Sequence, residues 1–307
     1  MQQTLIEDMI SNGVINLDKP RGPTSHEVTA WVKHLLGINK AGHTGTLDPH
    51  VSGVLPVALG KATSAVQAMH LASKEYIFIL RFHAPVDKST VDEVFSNFRG
   101  EIFQVPPLRS AVARKGRIRT IYEMEILESD GRDYLIRVKC DAGTYIRTLC
   151  KDIGLASGAG ANMRELRRIA SGCFHERESV TLHDLSTAVY AWRVEKDERY
   201  LRRIILPPST LFAHLKKVII KDSAVDAICH GAQLMIPGIE SITPGIAKGE
   251  HIAIMTGKDE VVALAVTVMG EREFETMKRG IFARVLRVYM PRGVYPRGWK
   301  SRGPRGG

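Results

Sequence analysis

The sequence predicts an α+β protein made of two folded domains, and two observations support this. Over residues 14–205, strand-like runs form hairpin-like pairs and are interrupted by helices of irregular length. That pattern favours a mixed, largely antiparallel sheet with flanking helices. After Pro207 and Pro208 the chain changes to short strands between turns, which predicts a small all-β domain. We therefore expect domains at 1–210 (core 14–205) and 211–290, followed by a basic tail at 291–307.

The first domain is expected to begin with a strand at 14–17 and a capped helix. Thr24 and Glu27 form a capping-box pattern that starts the helix, and Gly37 ends it. The predicted apolar stripe of this helix consists of Val28, Trp31, Val32 and Leu35. Two strands are predicted next, at residues 54–59 and 76–82.

A second capping pattern, Thr90 with Glu93, predicts a helix that ends near Gly100. The later elements of this domain are a strand at 134–140, a helix after Gly143 and a charged helix at 182–205. In the second domain, strands are predicted at 218–220, 233–236, 251–255, 261–268 and 282–288. A module of that size can fold independently.

The charge distribution indicates a polyanionic partner. Formal net charge is +10 and the pI is about 9.5, which suits nucleic acid. The tail at 291–307 contains basic residues and no acid, and its glycine and proline content predicts disorder when free. The tail either contacts RNA or only adds solubility, and both interpretations stay open.

A second basic stretch without an acid runs from residue 104 to residue 122. Its cations are Arg109, Arg114, Lys115, Arg117 and Arg119. Strand-like runs flank it, so we predict a mobile basic loop over a phosphate backbone. A plain solvated hairpin is less favoured, because such hairpins usually mix charges of both signs.

Other features place the chain among intracellular globular proteins. No stretch approaches a membrane span, and the first 20 residues lack a signal-peptide pattern. The four cysteines are scattered singly, which predicts reduced, buried thiols. They are Cys140, Cys150, Cys173 and Cys229.

Asp48 is the candidate nucleophile. It lies in a glycine-rich turn, where Gly42 and Gly45 permit unusual backbone conformations and Pro49 favours an extended Asp48. The alternative is that Asp48 caps a short helix with Pro49 at its first position. The density of special residues around the turn, His43 among them, favours the functional interpretation.

Other chemistries fit less well. A glycosidase would use two carboxylates, and no second acid lies near Asp48 in sequence. The spacing of His43, Asp48 and His50 matches no metal motif. A phosphate loop ending at Lys61 would need a glycine where Leu55 stands. A single carboxylate remains, used as a covalent nucleophile or as a lone acid or base.

Several segments resemble the TruB/dyskerin family of RNA pseudouridine synthases. They lie in order within residues 14–180, at 17–25, 42–49, 52–57, 74–76 and 143–149. The second domain resembles the PUA RNA-binding domain. The connection from 106 to 119 and the run 140–150 are closer to the archaeal and eukaryotic branch, the catalytic subunit of H/ACA guide-RNA particles. Without long basic extensions, the chain resembles an archaeal, cytoplasmic protein; a eukaryotic one would be nucleolar.

The resemblance implies that Asp48 attacks a flipped-out uridine, at C1′ or C6, without cofactor or metal. Flipping costs a few kcal/mol. Tyr76 would stack on the base and assist loss of the C5 proton, with an ordinary strand aromatic as the alternative. Arg147 would pair with Asp48 and keep it ionised, with a surface arginine as the alternative.

The resemblance also implies that Leu166 and Tyr145 line the uracil pocket, although both fit a plain core. His43 would lie beside the target nucleotide, or else be a hydrogen-bonded turn histidine. Lys19 and Pro20 would support the catalytic loop. The basic loop would be a thumb that clamps RNA.

The implied partners are a guide H/ACA RNA, an rRNA or tRNA substrate and small accessory proteins, with no membrane. The second domain and residues 1–13 would hold the guide. Two rivals remain: a non-catalytic RNA-binding scaffold and a stand-alone tRNA-modifying enzyme of the TruB type. Intact Asp48, Tyr76 and Arg147 argue against the scaffold.

Overall fold

A computed structural model describes residues 5–105 and 115–297. The chain divides into two compact units between Pro208 and Ser209. Within the described ranges, none of the helices has both the length and the apolar character needed to cross a bilayer.

The first unit contains a ten-stranded sheet. Its main path runs β10-β1-β3-β8-β4-β7-β6-β5, with β2 on β3 and β9 on β8. Among the strand pairs described in this sheet, β3 and β8 alone run parallel, so the predicted mixed, largely antiparallel sheet is confirmed. The strands are β1 Val14–Lys19, β2 Ala41–His43, β3 Ser52–Leu59, β4 Lys74–Phe82, β5 Gly100–Gln104, β6 Arg117–Asp130, β7 Asp133–Cys140, β8 Ala161–Ser171, β9 Phe174–His175 and β10 Ile205–Leu206.

Helices flank this sheet. The α-helices are α1 Ile6–Ser11, α2 Ser25–Leu36, α3 Lys88–Asn97, α4 Ile146–Ala156, α5 Leu182–Tyr190 and α6 Arg199–Ile204. A 3₁₀ segment covers Gly60–Leu71 and a π-helical turn covers Ala191–Glu195. One apolar core, which includes Leu17, Leu55 and Phe78, joins helices and sheet.

Helix α2 begins and ends as predicted. Thr24 and Glu27 form the reciprocal capping box, and Gly37 takes the left-handed conformation that closes the helix. The predicted stripe is wrong at Trp31, which is 47% exposed. Val28 and Val32 are buried as predicted, Leu35 is half-buried, and Leu36 is buried in addition, because residues four apart lie on one helix face.

Two other helix predictions are wrong in detail. Helix α3 begins at Lys88, and the amide of Val91 bonds the carbonyl of Asp87, so Thr90 lies inside the helix and does not cap it. The segment predicted as one charged helix is broken at Lys196, whose φ is +62°. Its last residue, Ile205, lies in strand β10, which pairs with β1.

Strand β8 was not predicted, although it lies between β3 and β4. Its sequence carries Arg164, Glu165, Arg167 and Arg168, which hide an alternating pattern. The strand forms because both neighbours supply backbone partners. Its register places Arg168 opposite Tyr76 and Leu166 opposite Phe78.

The second unit contains a six-stranded sheet in the order β12-β16-β15-β14-β11-β13. All five strands predicted there are present, and β13 is additional. Two short helices, α7 Asp222–Cys229 and α8 Glu271–Thr276, lie between strands of this otherwise β-rich unit. The strands are β11 Lys216–Ile220, β12 Leu234–Met235, β13 Ile239–Ile242, β14 His251–Thr256, β15 Val261–Thr267 and β16 Ile281–Val288. Its own apolar core includes Val218, Ile254 and Phe282.

Candidate active site

The loop between β2 and β3 presents Asp48. The amide of Val51 donates to the carbonyl of Asp48 at 3.0 Å, which closes a tight turn. No helix begins at Pro49 in this described loop, so the helix-cap interpretation of Asp48 is wrong. The Asp48 side chain is 55% exposed, while the preceding Leu47 is buried and anchors the loop. The carboxylate is therefore accessible on a fixed backbone.

Lys19 holds the Asp48 loop through hydrogen bonds to its backbone. It lies at the end of β1, fully buried, and its Nζ donates to the carbonyls of Pro20 at 2.9 Å, Val51 at 2.8 Å and Pro49 at 3.4 Å. Burial lowers the pKa of Lys19, and the charge of Asp48 acts in the opposite direction. Lys19 thus fixes two carbonyls that follow Asp48 in the loop and the carbonyl of Pro20, which follows β1.

Ser25 is a second support that the sequence did not reveal. It is the first residue of α2 and is fully buried. Its hydroxyl donates to the Leu47 carbonyl at 2.9 Å and accepts from the Leu47 amide at 2.8 Å. A serine after a capping threonine gives no signal that it contacts a loop 22 residues away.

Arg147 contacts the candidate nucleophile directly. Its Nη2 lies 2.5 Å from Oδ2 of Asp48, although the two residues are 99 apart in sequence. Arg147 is in the first turn of α4, and its side chain is 56% exposed. Such an exposed pair adds little stability. Its effect here is to orient the carboxylate.

The start of α4 is held by Gln104, another residue that the sequence did not single out. The Tyr145 amide donates to Oε1 of Gln104 at 3.0 Å, and Nε2 of Gln104 donates to the Tyr145 carbonyl at 3.2 Å. Gln104 is buried at the end of β5. The half-buried Tyr145 is thus fixed two residues before Arg147.

Tyr76 lies on β4 beside the Asp48 loop. It is buried, and Asp48 is among the charges that act on its hydroxyl. Burial raises the pKa of Tyr76, while the charge of the Arg168 guanidinium acts to lower it. Tyr76 is therefore a neutral phenol near pH 7.

Leu166 lies on the same face of the sheet as Tyr76. It is half-buried, and its partner across the strands is Phe78. Because side chains alternate along a strand, Leu166 and Arg168 point to one side of β8. Tyr76, Leu166 and Arg168 therefore lie on one face of the sheet.

His43 ends β2 and is half-buried. Its ring centroid lies 5.0 Å from that of His26, edge to face. Burial first, and then the nearby charges of His26 and Arg168, lower the pKa of His43 to about 4, so the ring is neutral near pH 7. Neither ring nitrogen bonds any part of the chain that the structure describes. The alternative of a hydrogen-bonded turn histidine is therefore wrong.

The basic stretch is described only in part. Arg109 and Arg114 lie outside the described residues. Lys115 and Arg117 are exposed; Lys115 lies just before β6, and Arg117 is the first residue of β6. Arg119 is half-buried and lies against Gly143, where an added Cβ would be 3.3 Å from Nη2 of Arg119. Of the basic residues in the tail, Arg292 and Arg297 are described and exposed.

The remaining predictions concern Pro20, metal ligands and thiols. Pro20 is exposed and contributes its carbonyl to Lys19. Among the residues described, no three His, Cys, Asp or Glu side chains are grouped as a metal ion would require. All four cysteines are free thiols, and Cys173 is half-buried where burial was predicted.

Four sequence families match the chain in order. Residues 3–29 match the DKCLD (NUC011) domain, and residues 33–146 match the N-terminal domain of the TruB family pseudouridylate synthases. Residues 147–213 match the tRNA pseudouridylate synthase B C-terminal domain. Residues 216–289 match the PUA domain.

Curated relatives are similar along nearly the whole chain. A protein of Methanocaldococcus jannaschii named "Probable tRNA pseudouridine synthase B" is 51% identical over 297 residues, which are 97% of this chain and 88% of the relative. A protein of the same name from Pyrococcus horikoshii is 54% identical over 295 residues, with 96% and 88% covered.

Solved structures are similar over the same length. One is described as a Cbf5-Nop10-Gar1 complex, with a TM-score of 0.88, 52% identity and coverage of 96% of this chain and 90% of that chain. Another is an H/ACA RNP bound to a substrate RNA containing 2′-deoxyuridine, with a TM-score of 0.85, 50% identity and the same coverage.

Proposed function

We propose that this chain, which belongs to the TruB family of pseudouridylate synthases, isomerises uridine to pseudouridine in RNA with Asp48 as its nucleophile. One observation carries the proposal. The carboxylate of Asp48 is accessible, lies 2.5 Å from Nη2 of Arg147 and is close to Tyr76. The loop that carries Asp48 is held by hydrogen bonds from Lys19. A single oriented carboxylate of this kind suits nucleophilic attack on an electrophilic carbon.

The reaction needs no external reagent, because the product is an isomer of the substrate. In one route Asp48 attacks C1′, and the C1′–N1 bond breaks with its electron pair on the uracil. The detached base rotates, C5 bonds to C1′, and the carboxylate leaves. Loss of the C5 proton and protonation of N1 complete pseudouridine. In the other route Asp48 adds to C6, and the electron pair of the C5–C6 double bond moves to the uracil carbonyl. The C1′–N1 bond then breaks, C5 bonds to C1′, N1 is protonated, and loss of the C5 proton expels the carboxylate.

Tyr76, Leu166 and Tyr145 are proposed to hold the flipped base. Stacking on an aromatic ring contributes about 1–3 kcal/mol per base. Because burial raises the pKa of Tyr76, its hydroxyl stays protonated, which favours a stacking and hydrogen-bonding role over that of a base at neutral pH. His43 is proposed to lie beside the target nucleotide as a neutral ring.

We propose that the chain acts as the catalytic subunit of an H/ACA guide-RNA particle. The similar solved structures are such complexes, with Nop10 and Gar1 or with substrate RNA. They match about nine tenths of their own length, so the surfaces available to partners are largely shared. The substrate would be rRNA or tRNA, chosen by pairing with the guide. Phosphate contacts from the basic loop and tail would add affinity without sequence information.

Each segment of the chain would have its own role in such a particle. Residues 1–210 form the catalytic domain, 211–290 the PUA domain that holds the guide together with residues 1–13, and 291–307 a tail that contacts RNA. The curated relatives are from archaea, and the solved Nop10-Cbf5 complex is archaeal, so a cytoplasmic particle is proposed.

A second function has its own support. The curated relatives are named tRNA pseudouridine synthases, which fits a stand-alone enzyme acting on tRNA. The same active site would serve, but the substrate would be chosen by RNA shape in place of a guide. The scaffold alternative has no such support, because the contact between Asp48 and Arg147 is intact.

One experiment separates these functions. The full-length chain is incubated with unmodified tRNA alone, and separately with a guide RNA, its paired substrate RNA and the accessory proteins. Pseudouridine is then mapped by mass spectrometry. We expect modification at the guided uridine only when guide and accessory proteins are present. Modification of tRNA by the chain alone would support the stand-alone enzyme, and no pseudouridine in any arm would overturn the proposed activity.

A further inference from the structure

Among the residues that the structure describes, Arg168 is the largest fully buried side chain. It lies on β8 and is 2% exposed. No acidic side chain pairs with it in the described ranges. Removing a guanidinium from water costs several kcal/mol. The contacts that Arg168 makes must therefore account for its retention.

All donors assigned to Arg168 go to elements that carry the active site. Nε donates to the carbonyl of Val54 at 2.8 Å, and Nη2 donates to the carbonyl of Gly45 at 3.1 Å. Arg168 also lies opposite Tyr76 across the strands, and its guanidinium and the Tyr76 hydroxyl influence each other's pKa. Gly45 lies three residues before Asp48, and Val54 lies on the strand that follows the loop.

The backbone of Arg168 is as tightly placed as its side chain. Gly53 of β3 pairs with Arg168 in parallel, and a Cβ at Gly53 would lie 2.1 Å from the Arg168 carbonyl oxygen. The close approach fixes β8 against the strand that leaves the catalytic loop. The backbone of Arg168 is therefore fixed, and this sets the position from which the guanidinium donates to the Val54 and Gly45 carbonyls.

We propose that Arg168 is a positioning residue of the reaction, which holds the Tyr76 hydroxyl and the Asp48 loop in one fixed arrangement around the target base. This inference rests on the proposed function. The planar guanidinium suits the task because it presents five donors in a rigid fork. A lysine ammonium has its three donors around one atom and cannot reproduce the separate positions from which Nε and Nη2 of Arg168 reach Val54 and Gly45.

The test is a double-mutant cycle measured in the fully assembled particle. The variants are Arg168→Lys, Tyr76→Phe and the double variant, with Arg167→Lys as the matched control. Arg167 lies on the opposite side of β8 and contacts Asp18 and Glu176. The readouts are the single-turnover rate of pseudouridine formation, RNA affinity and the free energy of unfolding.

We expect Tyr76→Phe to slow the single-turnover rate about tenfold and Arg168→Lys about a hundredfold, since misplacement by about 1 Å can cost that much. RNA affinity should not change, because Arg168 is buried. The double variant should be no slower than Arg168→Lys alone, since both changes remove the same contact. Arg167→Lys should retain the wild-type rate.

Four results would each overturn the inference while wild-type activity stands. The two rate losses could multiply, the loss in Arg168→Lys could vanish after correction for the folded fraction, or Arg167→Lys could lose as much. An unchanged rate for Tyr76→Phe alone also refutes the role. If Arg168→Lys does not fold, Arg168→Gln takes its place in the cycle. Inactivity of the wild-type particle would instead count against the proposed function.

Discussion

Replacement of Lys19 by methionine tests whether the loop beneath Asp48 is held as described. Methionine keeps most of the aliphatic length of lysine and removes all its donors. Three carbonyls then lose a partner, those of Pro20, Pro49 and Val51. The Pro49 carbonyl keeps the Gly22 amide, which donates to it at 2.8 Å.

The expected loss of stability follows from these contacts. An acceptor left without a partner costs about 1–3 kcal/mol when buried, which applies fully to the Val51 carbonyl. Pro20 is exposed, so water can replace Lys19 there. Relief of the desolvated ammonium offsets part of the cost, in line with the lowered pKa of Lys19. We expect a net loss of about 2 kcal/mol in the free energy of unfolding.

The rate should fall more than the stability. Pro49 and Val51 follow the nucleophile within three residues, and a shift of about 1 Å in a reacting group can cost about a hundredfold. RNA affinity should be unchanged, because Lys19 is fully buried and cannot contact phosphate. Denaturant unfolding, single-turnover kinetics and an RNA-binding titration measure the three effects. Lys61→Met, a substitution at an exposed lysine, is the matched control.

A Lys19→Met protein with wild-type rate and stability would refute this reasoning. A rate loss accompanied by an equal loss of RNA affinity would also refute it, since Lys19 would then contact RNA. Equal effects of Lys61→Met would show that the change reflects net charge alone.

Two further predictions concern the loop and its neighbouring strand. Gly53→Ala should lower the free energy of unfolding by about 3 kcal/mol, because the new Cβ would clash with the Arg168 carbonyl and because φ at Gly53 is +108°. The control is Gly100→Ala, where φ is +92° but no atom lies near the added Cβ, so the loss should be smaller. Equal losses for the two variants would contradict the clash. The pKa of His43 is about 4 in the folded protein, below that of an unfolded histidine, so its contribution to stability is complete above about pH 6.5 and is lost as pH falls towards 4. Denaturant unfolding across this range should show a weaker pH dependence for His43→Gln than for the wild type, and identical slopes would contradict it.

Local signals in the sequence predicted those elements whose cause is local. The capping box of Thr24 and Glu27 and the left-handed Gly37 lie within or next to α2, and both are present. The Thr90 and Glu93 pattern failed because the Val91 amide bonds the Asp87 carbonyl, so the helix begins at Lys88 and Thr90 lies within its first turn.

Strand β8 shows where sequence patterns carry too little information. Charged residues dominate it, and its strand structure depends on pairing with β3 and β4, which are distant in sequence. The same distance hid Arg168, since an arginine in a charged run normally indicates a solvent-exposed surface. Its burial follows only from the register that sets it opposite Tyr76.

The site itself was predicted through resemblance more than through pattern. The turn chemistry singled out Asp48, but Arg147 and Tyr76 were chosen because their segments resemble a family. The structure brings the Arg147 guanidinium to the Asp48 carboxylate. Ser25 and Gln104 were missed, because a buried polar side chain that bonds a distant backbone has no sequence signature.

The most direct test of the central claim is the single-turnover rate of an Asp48→Asn protein in the assembled particle. Asparagine keeps the size of the side chain and removes its negative charge. We predict no pseudouridine above the level of a particle that lacks this chain, with RNA affinity unchanged. Formation of pseudouridine by the Asp48→Asn protein at the wild-type rate would contradict the assignment of this carboxylate as the nucleophile.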